Sequence, residues 1–485
     1  MATTTAVPGR VTSPPAPTQN THYVLRGAKL AKFLWEGRHD PLEPLCKIPG
    51  GNGVVRIPDP FANVFLVRSP QDTRHVLIAN QDAYAKGTDY RVLGVLLGQG
   101  LLTNADPVFW QRQRKLVQPM FAKRHLAPMA THMTAAATDW LEKWEAPASG
   151  DGTLIDAHAA MNALTLDVVD RALFGVGIDD ATTQVVGAAM SDVLHVGSFY
   201  LQRGYITRAL MSFGLSLNQA LQTRPRPWRK AMRAIDTLDG VVGTMISAYE
   251  ADPEPDQDNL LALLLSARDE ETGEPMSREQ VRDEVMTFLG AGHETTANAL
   301  SWTWLLLSQH PHVREHLQAE VDDVLQGRVP SAEDVDRLPY TMAVLQESMR
   351  LYPPVPAVSR VALEDDVVGG ARVKKGAGVL VLPYVIHRDP TLWPNPEGFD
   401  PRRFLAPELG GTMTPDRPKQ AFMPFGAGRR ICVGSGFALM EGVLLLAMIA
   451  QRYELDLQSG ARIRPEIAIT LRPEGSLPMI LRKRR

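Results

Sequence analysis

The sequence predicts a mainly α-helical protein with small β-sheets contributed by both ends of the chain, an α+β arrangement. Apolar residues recur every three or four positions through most of 73–350, which is typical of amphipathic helices. β-branched runs surround a Pro-Asp-Pro turn within 53–68 and return near the C-terminus, which indicates strands. The chain has 485 residues, of which 44% are hydrophobic and 22% charged, an ordinary globular composition with material for a large core.

The strand signals occur in three places. The run 53–68 reads as a hairpin, and "GVLVLP" at 378–383 reads as a single strand. The tail, 466–483, predicts a second hairpin that turns at Pro473–Gly475. The helical region between these strands includes "ALTLDVVDRALFG" at 163–175, whose apolar spacing predicts a helix that ends at Gly175.

Domain organisation is simple. Residues 1–21 are rich in Thr and Pro, so we expect a disordered N-terminal segment rather than a signal peptide. Residues 22–485 contain no linker or repeat and are expected to form a single domain.

A net charge of -3 argues against general attraction to nucleic acid, and no apolar run reaches the ~20 residues of a membrane span. The presence of only two cysteines favours a reducing compartment. We expect a soluble, cytoplasmic protein, and we expect it to be a monomer.

One helix is predicted to be unusually long. Ser277 and Gln280 form a capping-box pattern, and helical character continues to His310, before Pro311. The average helix has ~11–12 residues. The middle of this one, "LGAGHETTAN", contains two glycines and two threonines, although a helical glycine costs roughly 1 kcal/mol relative to alanine. We infer that another molecule needs the space there.

A cysteine lies in an unusual loop, "FMPFGAGRRICVGSG", at 422–436. Helical periodicity from 433 to 450 places Cys432 before a helix N-terminus, where the thiolate is favoured. Glycines allow close backbone approach to a flat group, and Arg429 and Arg430 supply positive charge.

Other interpretations of this loop compete on the residues alone. A lone cysteine is commonly a small buried hydrophobe. A phosphate cradle is disfavoured, because neither the Rossmann nor the Walker glycine spacing is present. A nucleophilic Cys432 would require a histidine base, for which His387 and His125 are the candidates.

A resemblance favours one interpretation. Phe425, Gly428, Arg430, Cys432 and Gly434 fall on the pattern F-x-x-G-x-R-x-C-x-G, and the segment resembles the haem-binding loop of the cytochrome P450 family. The resemblance implies the fold of that family, with a long central helix over haem b. It also implies that the cysteine is the axial thiolate ligand and the metal ligand of the iron.

Two further motifs resemble structural landmarks of the same family. "ESMR" matches E-x-x-R, with Glu347 and Arg350 on one helix face. "FDPRRF" supplies Arg403, which the resemblance implies joins them in a structural network. Arg402 stands where relatives usually have glutamate. The segment "HRDPTLWPNPEGF" at 387–399 also resembles the family and is expected to be a turn-rich surface region.

The resemblance also implies residues that hold the haem carboxylates. "WQRQR" matches W-x-x-x-R, with Trp110 and Arg114 one helical turn apart. Both are expected near a propionate, where a bidentate arginine suits a carboxylate better than lysine. Arg360 occupies a position where many relatives place another such arginine.

The middle of the long helix resembles the oxygen-activating segment of the family. "AGHETT" places Thr295 on the oxygen side with Glu294 as its acidic neighbour, while Ala291 leaves room for dioxygen. His293 is expected to be structural. The resemblance implies a monooxygenase that hydroxylates or epoxidises a substrate with one oxygen atom from O2. Alternatives are a haem-thiolate isomerase or peroxygenase, or a non-catalytic haem-binding protein.

The expected substrate is lipophilic: a fatty acid, terpenoid, steroid or polyketide. By resemblance, the pocket should be lined by mostly apolar segments, namely 89–104, 194–216, the midpoint of the long helix, 355–358 and 476–477. No basic residue is an obvious partner for a substrate carboxylate, and Arg91 and Arg203 are the only candidates.

The expected electron source is a separate protein, because the chain ends at Arg485 without a fused reductase. The resemblance implies a soluble bacterial-type enzyme that receives electrons ultimately from NAD(P)H through a ferredoxin or flavodoxin and its reductase. We expect an acidic partner to dock by charge on a basic patch of Arg112, Arg114, Lys115, Lys123, Arg124 and Arg429.

Overall fold

The computed structural model describes residues 23–25, 42–48, 53–58, 63–145, 152–174, 180–202, 222, 225–251 and 259–484. The expected disordered segment at 1–21 lies outside these residues. So do Gly175, Arg203 and the part of the predicted pocket segment at 203–216.

Helices make up most of the described residues, which confirms the predicted fold class. In chain order they are α1 Leu42–Cys46, α2 Pro70–Arg74, α3 Thr88–Leu97, α4 Pro107–Val117, α5 Lys123–Glu145, α6 Ala157–Val169, α7 Asp180–Gln202, α8 Pro225–Ala251, α9 Leu260–Ser266, α10 Arg278–Gln309, α11 Pro311–Leu325, α12 Pro339–Leu351, α13 Pro383–Ile386 and α14 Ser435–Arg452.

The strands form small sheets, as predicted. They are β1 Tyr23–Val24, β2 Val55–Ile57, β3 Val64–Val67, β4 Tyr84–Lys86, β5 Thr153–Asp156, β6 Val358–Ala362, β7 Asp366–Val368, β8 Ala371–Val373, β9 Gly378–Val381, β10 Tyr453–Leu457, β11 Pro465–Ile467, β12 Leu471–Pro473 and β13 Pro478–Lys483. The largest is a mixed sheet of order β1-β2-β3-β9-β6-β4, and a second has the order β10-β13-β5. Two two-stranded sheets, β7-β8 and β11-β12, are the remaining sheets in the described residues.

The first predicted hairpin is present, since β2 and β3 pair antiparallel. The predicted tail hairpin is wrong: β12 pairs with β11, whereas β13 pairs with β10 and β5. Met479 and Leu481 of β13 are fully buried. Burial between two neighbouring strands therefore determines the partners of β13, and the turn at Pro473–Gly475 does not.

The long helix α10 crosses the core of the molecule. Its N-terminus has the predicted capping box, in which the Ser277 hydroxyl accepts from the Gln280 amide and the Gln280 side chain accepts from the Ser277 amide. Trp302 and Trp304 on this helix are fully buried. Helices α6, α8, α12 and α14 all pack against it. The predicted start and end of this helix match the structure.

Helix α14 follows the cysteine loop and packs against α5, α10 and α12. It is the one helix in the described residues that is long and apolar enough, by length and composition, to cross a membrane. Of this stretch, 61% is buried inside the protein. A core helix of a soluble protein passes the same test, so the finding is weak evidence for a span.

Candidate active site

The cysteine loop has a shape that only glycine permits at two positions. Gly426 and Gly428 have φ values of +76° and +75°, a region that other residues resist. A Cβ on Gly428 would also lie 1.8 Å from the carbonyl oxygen of Leu77. The loop closes where the Cys432 amide donates to the Phe425 carbonyl at 3.0 Å.

The Cys432 thiol is accessible from an internal cavity, although protein surrounds it on its other sides. This burial raises the pKa of the thiol, while the Gly434 amide and the Arg114 guanidinium act in the opposite direction. Arg114 is held there because its Nη1 donates to the carbonyl of Ile431 at 2.8 Å. The sulfur is thus presented to a ligand inside the cavity, with two groups that favour its anion.

The cavity has a volume of about 800 Å³. Cys432, Phe425, Gly434, Ala291, Glu294 and Thr295 all contribute to its wall. Much of the remaining wall is apolar, from α3 and the loop after it, α10, and the segment before β6: Leu93, Leu97, Leu101, Phe288, Val355 and Ala357. A space of this size and character suits a cofactor together with a lipophilic molecule.

The structure corrects one predicted part of this wall. The expected contribution of 476–477 is wrong, because Leu477 is fully buried and its amide donates to Asp156. The tail reaches the cavity instead through Ile467–Thr470, at the turn between β11 and β12. Arg91 is exposed to solvent and does not line the cavity.

Arginine and tryptophan side chains pack together at one part of the cavity. The guanidinium carbon of Arg430 lies 4.2 Å from the centre of the Trp110 ring, and its Nη1 donates to the Asn104 carbonyl at 3.2 Å. The Trp110 indole N–H donates to the Leu101 carbonyl at 3.1 Å. Burial, with the positive charges of Arg360 and Arg429, lowers the pKa of Arg430 to about 10.

Lys86 is a functional candidate that sequence reasoning missed. Its ammonium donates to the carbonyls of Leu101 and Leu102 inside the cavity. Burial, together with Arg430 and Arg360, lowers its pKa well below the usual value. Lys86 lies directly opposite Arg360 in the β4–β6 ladder, a like-charge pair that destabilises a sheet. No local sequence pattern reveals this pairing, because β4 and β6 are far apart in the chain.

The charges in the cavity wall are unbalanced. Among the described residues that line it, the basic side chains are Lys86, Arg114, Arg360 and Arg430, and the acidic ones are Asp89 and Glu294. Because buried charges are costly without partners, this excess of positive charge fits a ligand that brings carboxylates of its own. Haem b has two such groups and an iron that binds thiolate. The residues present therefore fit the haem implied by the cysteine-loop motif.

The middle of α10 presents the predicted acid and alcohol to the same cavity. The Thr295 hydroxyl donates to the Ala291 carbonyl at 2.7 Å. Glu294 is 6% exposed, and this burial raises the pKa of its carboxyl. His293 is buried, and its Nδ1 lies 2.6 Å from the Leu289 carbonyl oxygen, as expected for a structural residue.

The structure brings together the three residues of the E-x-x-R and FDPRRF motifs. Arg350 makes two contacts with the Glu347 carboxylate, at 2.7 and 2.9 Å, and Arg403 makes one at 3.2 Å. Glu347 and Arg350 are fully buried. Arg402, in contrast, has a 60% exposed side chain and pairs with Asp400.

The prediction of a turn-rich surface region at 387–399 is right only in part, since the segment is rich in turns and Asn395 and Glu397 are exposed, but other side chains lie inside the protein. His387 and Trp393 are fully buried. The His387 carbonyl accepts a hydrogen bond from Arg350 at 2.8 Å, and Nε2 of the His387 ring accepts one from the Met423 amide at 3.0 Å. Parts of the segment are held inside the protein because three of its backbone carbonyls accept from the network arginines, and His387 links that network to the start of the cysteine loop.

A histidine base for Cys432 is not found at the site. The ring nitrogens of His387 contact the Arg350 carbonyl and the Met423 amide, and His125 contacts Arg124. Among the described residues that line the cavity there is no histidine. The arrangement therefore does not support a cysteine-nucleophile hydrolase.

The expected basic patch is largely neutralised by carboxylates. Four of its cations form ion pairs: Arg112 with Asp269, Lys115 with Glu271, Lys123 with Asp336 and Arg429 with Asp82. Near Cys432, Ile431 is 41% exposed. The surface on the cysteine side is therefore mixed in charge and partly apolar.

Comparisons with known proteins agree over nearly the whole chain. A family model described as Cytochrome P450 matches residues 27–477. Cyclooctatin synthase of Streptomyces melanosporofaciens is 36% identical over 91% of each chain. Cyclooctat-9-en-7-ol 5-monooxygenase of the same organism is 34% identical over 92% of this chain and 91% of its own length. Carotene epsilon-monooxygenase of Arabidopsis thaliana is 30% identical over 94% of this chain and 82% of its own length.

Proposed function

The chain belongs to the cytochrome P450 family and is a monooxygenase, and we propose that it inserts one oxygen atom from O2 into a lipophilic substrate of the terpenoid class. The observation that carries the proposal is one largely apolar cavity that contains both Cys432 and the pair Glu294–Thr295. Relatives named for cyclooctat-9-en-7-ol and carotene oxidation support the choice of terpenoids among lipophilic substrates.

The residues that would hold the haem come from several elements. Cys432 would bind the iron, while Phe425 and Gly434 flank the sulfur and Ala291 leaves space on α10. The side chains that would hold its carboxylates are the buried Lys86 and Arg360, the half-buried Arg114 and Arg430, and the Trp110 indole. When bound, the haem supplies the iron that activates dioxygen, with electron density from the thiolate.

The chain itself contributes proton handling and exclusion of water. Because burial raises the pKa of the Glu294 carboxyl, this group holds a proton more readily than an exposed carboxyl does and can donate it inside the cavity. Thr295 lies beside it, half-buried, and its hydroxyl oxygen can accept a hydrogen bond while the hydroxyl donates to the Ala291 carbonyl. Apolar side chains of Leu93, Leu97 and the rest of the wall exclude bulk water from the substrate.

The enzyme needs electrons from a partner, which we propose is a ferredoxin or flavodoxin with its NAD(P)H-dependent reductase. Most cations of the expected patch are paired with carboxylates. We therefore propose that the partner docks beside Cys432 through apolar contact at the exposed Ile431 as well as through charge. We further propose that residues 22–485 act as one catalytic domain, in a cytoplasmic monomer. Size-exclusion chromatography and cell fractionation check the last two points.

Replacement of the proposed ligand tests the assignment. Cys432→Ser should abolish the absorption band of thiolate-ligated haem in the reduced, carbon monoxide-bound protein, whereas Cys46→Ser should keep it. Loss of the band in both variants, or in neither, contradicts the assignment. Circular dichroism of each variant monitors folding.

Substrate class and reaction type need separate measurements. A panel of terpenoids and fatty acids should give substrate-induced spectral shifts, with tighter binding by terpenoids. Product formed with an electron donor and isotopically labelled dioxygen should carry one labelled oxygen atom. Product formed without that label would favour an isomerase, and turnover driven only by peroxide would favour a peroxygenase.

A further inference from the structure

The segment 98–104 follows α3 and crosses α10 near the start of that helix. Gly98 has a φ of +87°, and a Cβ on Gly100 would lie 2.6 Å from the carbonyl oxygen of Asp283. The segment therefore approaches the helix backbone so closely that only glycine fits at position 100. Leu101 and Leu102 of the same segment line the active-site cavity.

Two adjacent carboxylates on α10 hold this segment by its backbone. Oδ2 of Asp283 accepts from the Gln99 amide at 2.6 Å, and Oε2 of Glu284 accepts from the Leu101 amide at 3.1 Å. Glu284 is fully buried. Neither carboxylate belongs to the described wall of the active-site cavity, so both act on that cavity through the segment.

The carbonyls of the same segment face the basic side of the cavity wall. The Leu101 carbonyl accepts from Lys86 Nζ and from the Trp110 indole, each at 3.1 Å. The Asn104 carbonyl accepts from Arg430 at 3.2 Å. One segment thus connects the two carboxylates of α10 with three of the side chains that would hold the haem carboxylates.

Glu284 is only half satisfied in this position. Its Oε1 has no hydrogen-bond partner among the described residues, and neither has the Thr287 hydroxyl one turn along α10. Burial, with the charge of Asp283, raises the pKa of Glu284 from 4.5 to about 7, although the Leu101 amide and Lys86 act in the opposite direction. A buried carboxylate with one unpaired oxygen is costly, and the cost disappears if the segment moves away and water reaches the group.

We propose that Glu284 is a positioning residue that closes segment 98–104 onto α10, and that loss of its proton opens the segment and loosens the substrate wall at Leu101 and Leu102 together with the side chains that face the haem carboxylates. The inference rests on the proposed function, which assigns haem and substrate to this cavity. The closed form binds the proton more firmly than the open form does. Closure is therefore strongest at low pH and weakens as pH rises from about 4.5 to about 7.

The charged neighbours of Glu284 belong to several elements, so the pH dependence is assigned by comparison with a variant that cannot ionise. Besides Lys86 on β4, the charged groups around Glu284 and Lys86 lie on α10, α8, α3, β6 and the cysteine loop: Arg282, Asp283, Asp239, Asp89, Arg360 and Arg430.

The first test measures the segment itself and does not depend on haem content. Hydrogen–deuterium exchange of the purified protein, corrected for the intrinsic pH dependence of exchange, reports opening at the Leu101 amide. Exchange in the wild-type protein should rise by up to roughly tenfold per pH unit below about 7 and then level off. Glu284→Gln keeps an acceptor for the amide but cannot ionise, so it should remove this rise. Superimposable profiles of the two proteins overturn the proposal.

The second test measures how firmly the holoenzyme keeps its haem. Glu284→Leu removes the acceptor and should speed haem transfer to an acceptor protein by roughly tenfold. The resonance Raman bands of the haem carboxylates should shift in this variant as they do in Lys86→Met. Glu284→Gln should stay near wild type at low pH, and Glu279→Gln, which changes an exposed acid on the same helix, should do so at every pH. Unchanged transfer and bands in Glu284→Leu overturn the link to the haem side, and the exchange profile of Glu284→Gln still decides if the leucine variant does not fold.

The third test measures the substrate wall with 4-phenylimidazole, whose nitrogen binds haem iron and whose phenyl ring extends into the substrate space. Its dissociation rate from the wild-type holoenzyme should increase as pH rises toward about 7, and this increase should be absent in Glu284→Gln. Equal increases in the two proteins overturn the link to the wall. Failure of the proposed function looks different, because the wild-type protein would then lack thiolate-ligated haem or terpenoid binding. Failure of this inference leaves both intact.

Discussion

Two adjacent arginines, Arg402 and Arg403, allow a direct test of the buried charge network. Arg403 has an 8% exposed side chain and donates to Glu347 at 3.2 Å and to the Asn395 carbonyl at 2.8 Å. Arg402 has a 60% exposed side chain and pairs with Asp400. Replacement of each by leucine removes the same charge from neighbouring positions with very different surroundings.

The two replacements should differ several-fold in their effect on the free energy of unfolding. Hydrogen bonds to charged groups contribute about 1.5–3 kcal/mol each, and breaking a buried ion pair costs about 3–5 kcal/mol. Glu347 retains Arg350 and the Asp400 amide as donors, so Arg403→Leu should cost about 3 kcal/mol. Arg402→Leu should cost about 0–1 kcal/mol, as exposed pairs do.

Urea denaturation of the holoprotein, followed by tryptophan fluorescence, measures both effects. Arg403→Leu should move the midpoint far more than Arg402→Leu at equal haem content. Equal shifts in the two variants would refute the reasoning that burial decides the contribution of each arginine.

Three further predictions concern the loop, the linking histidine and the missed lysine. Gly428→Ala should lower the melting temperature and the haem content more than Gly426→Ala does. Both glycines have a positive φ, but only at position 428 would a Cβ meet the Leu77 carbonyl. Equal losses in the two variants would count against the importance of this contact. Burial lowers the pKa of His387 to about 3 from 6.5, so the unfolded chain binds the extra proton first. Stability should therefore fall as pH drops from about 6.5 toward 3, by up to ~1.4 kcal/mol per unit, and this slope should flatten in His387→Gln in pH-dependent denaturation. Lys86→Met should speed haem transfer to an acceptor protein by roughly tenfold, because it removes a hydrogen bond from a charged group to the haem, and such a bond contributes about 1.5–3 kcal/mol. An unchanged transfer rate would show that Lys86 does not hold the haem.

Helix starts and ends were predictable where local chemistry decides them. The capping box at Ser277 and Gln280 and the proline after His310 bound α10 as expected, because caps depend on residues three or four positions apart. The cysteine loop was predictable for a similar reason. Its glycines and Cys432 lie within one short segment whose pattern is specific.

The errors involve partners distant in the chain. The pairing of β13 depends on β10 and β5, and no turn residue encodes that choice. The segment 387–399 contains prolines and charges that suggest a surface, yet its carbonyls lie against Arg350 and Arg403 inside the protein. Polar residues are buried when a specific partner satisfies them, and the partner is supplied by another part of the chain.

Hydrophobic periodicity alone was sufficient to indicate a mostly helical protein, whereas the thiolate ligand and the acid–alcohol pair were implied by the resemblance of two short motifs to a known family. Only packing in three dimensions places Lys86 opposite Arg360 and Arg472 between Glu466 and Glu294. Short-range hydrogen bonds and backbone preferences act between residues that are close in sequence. Their effect on local structure can therefore be predicted from short stretches of the sequence. Charge balance and proton access depend on which distant segments meet, and burial of the whole core decides that.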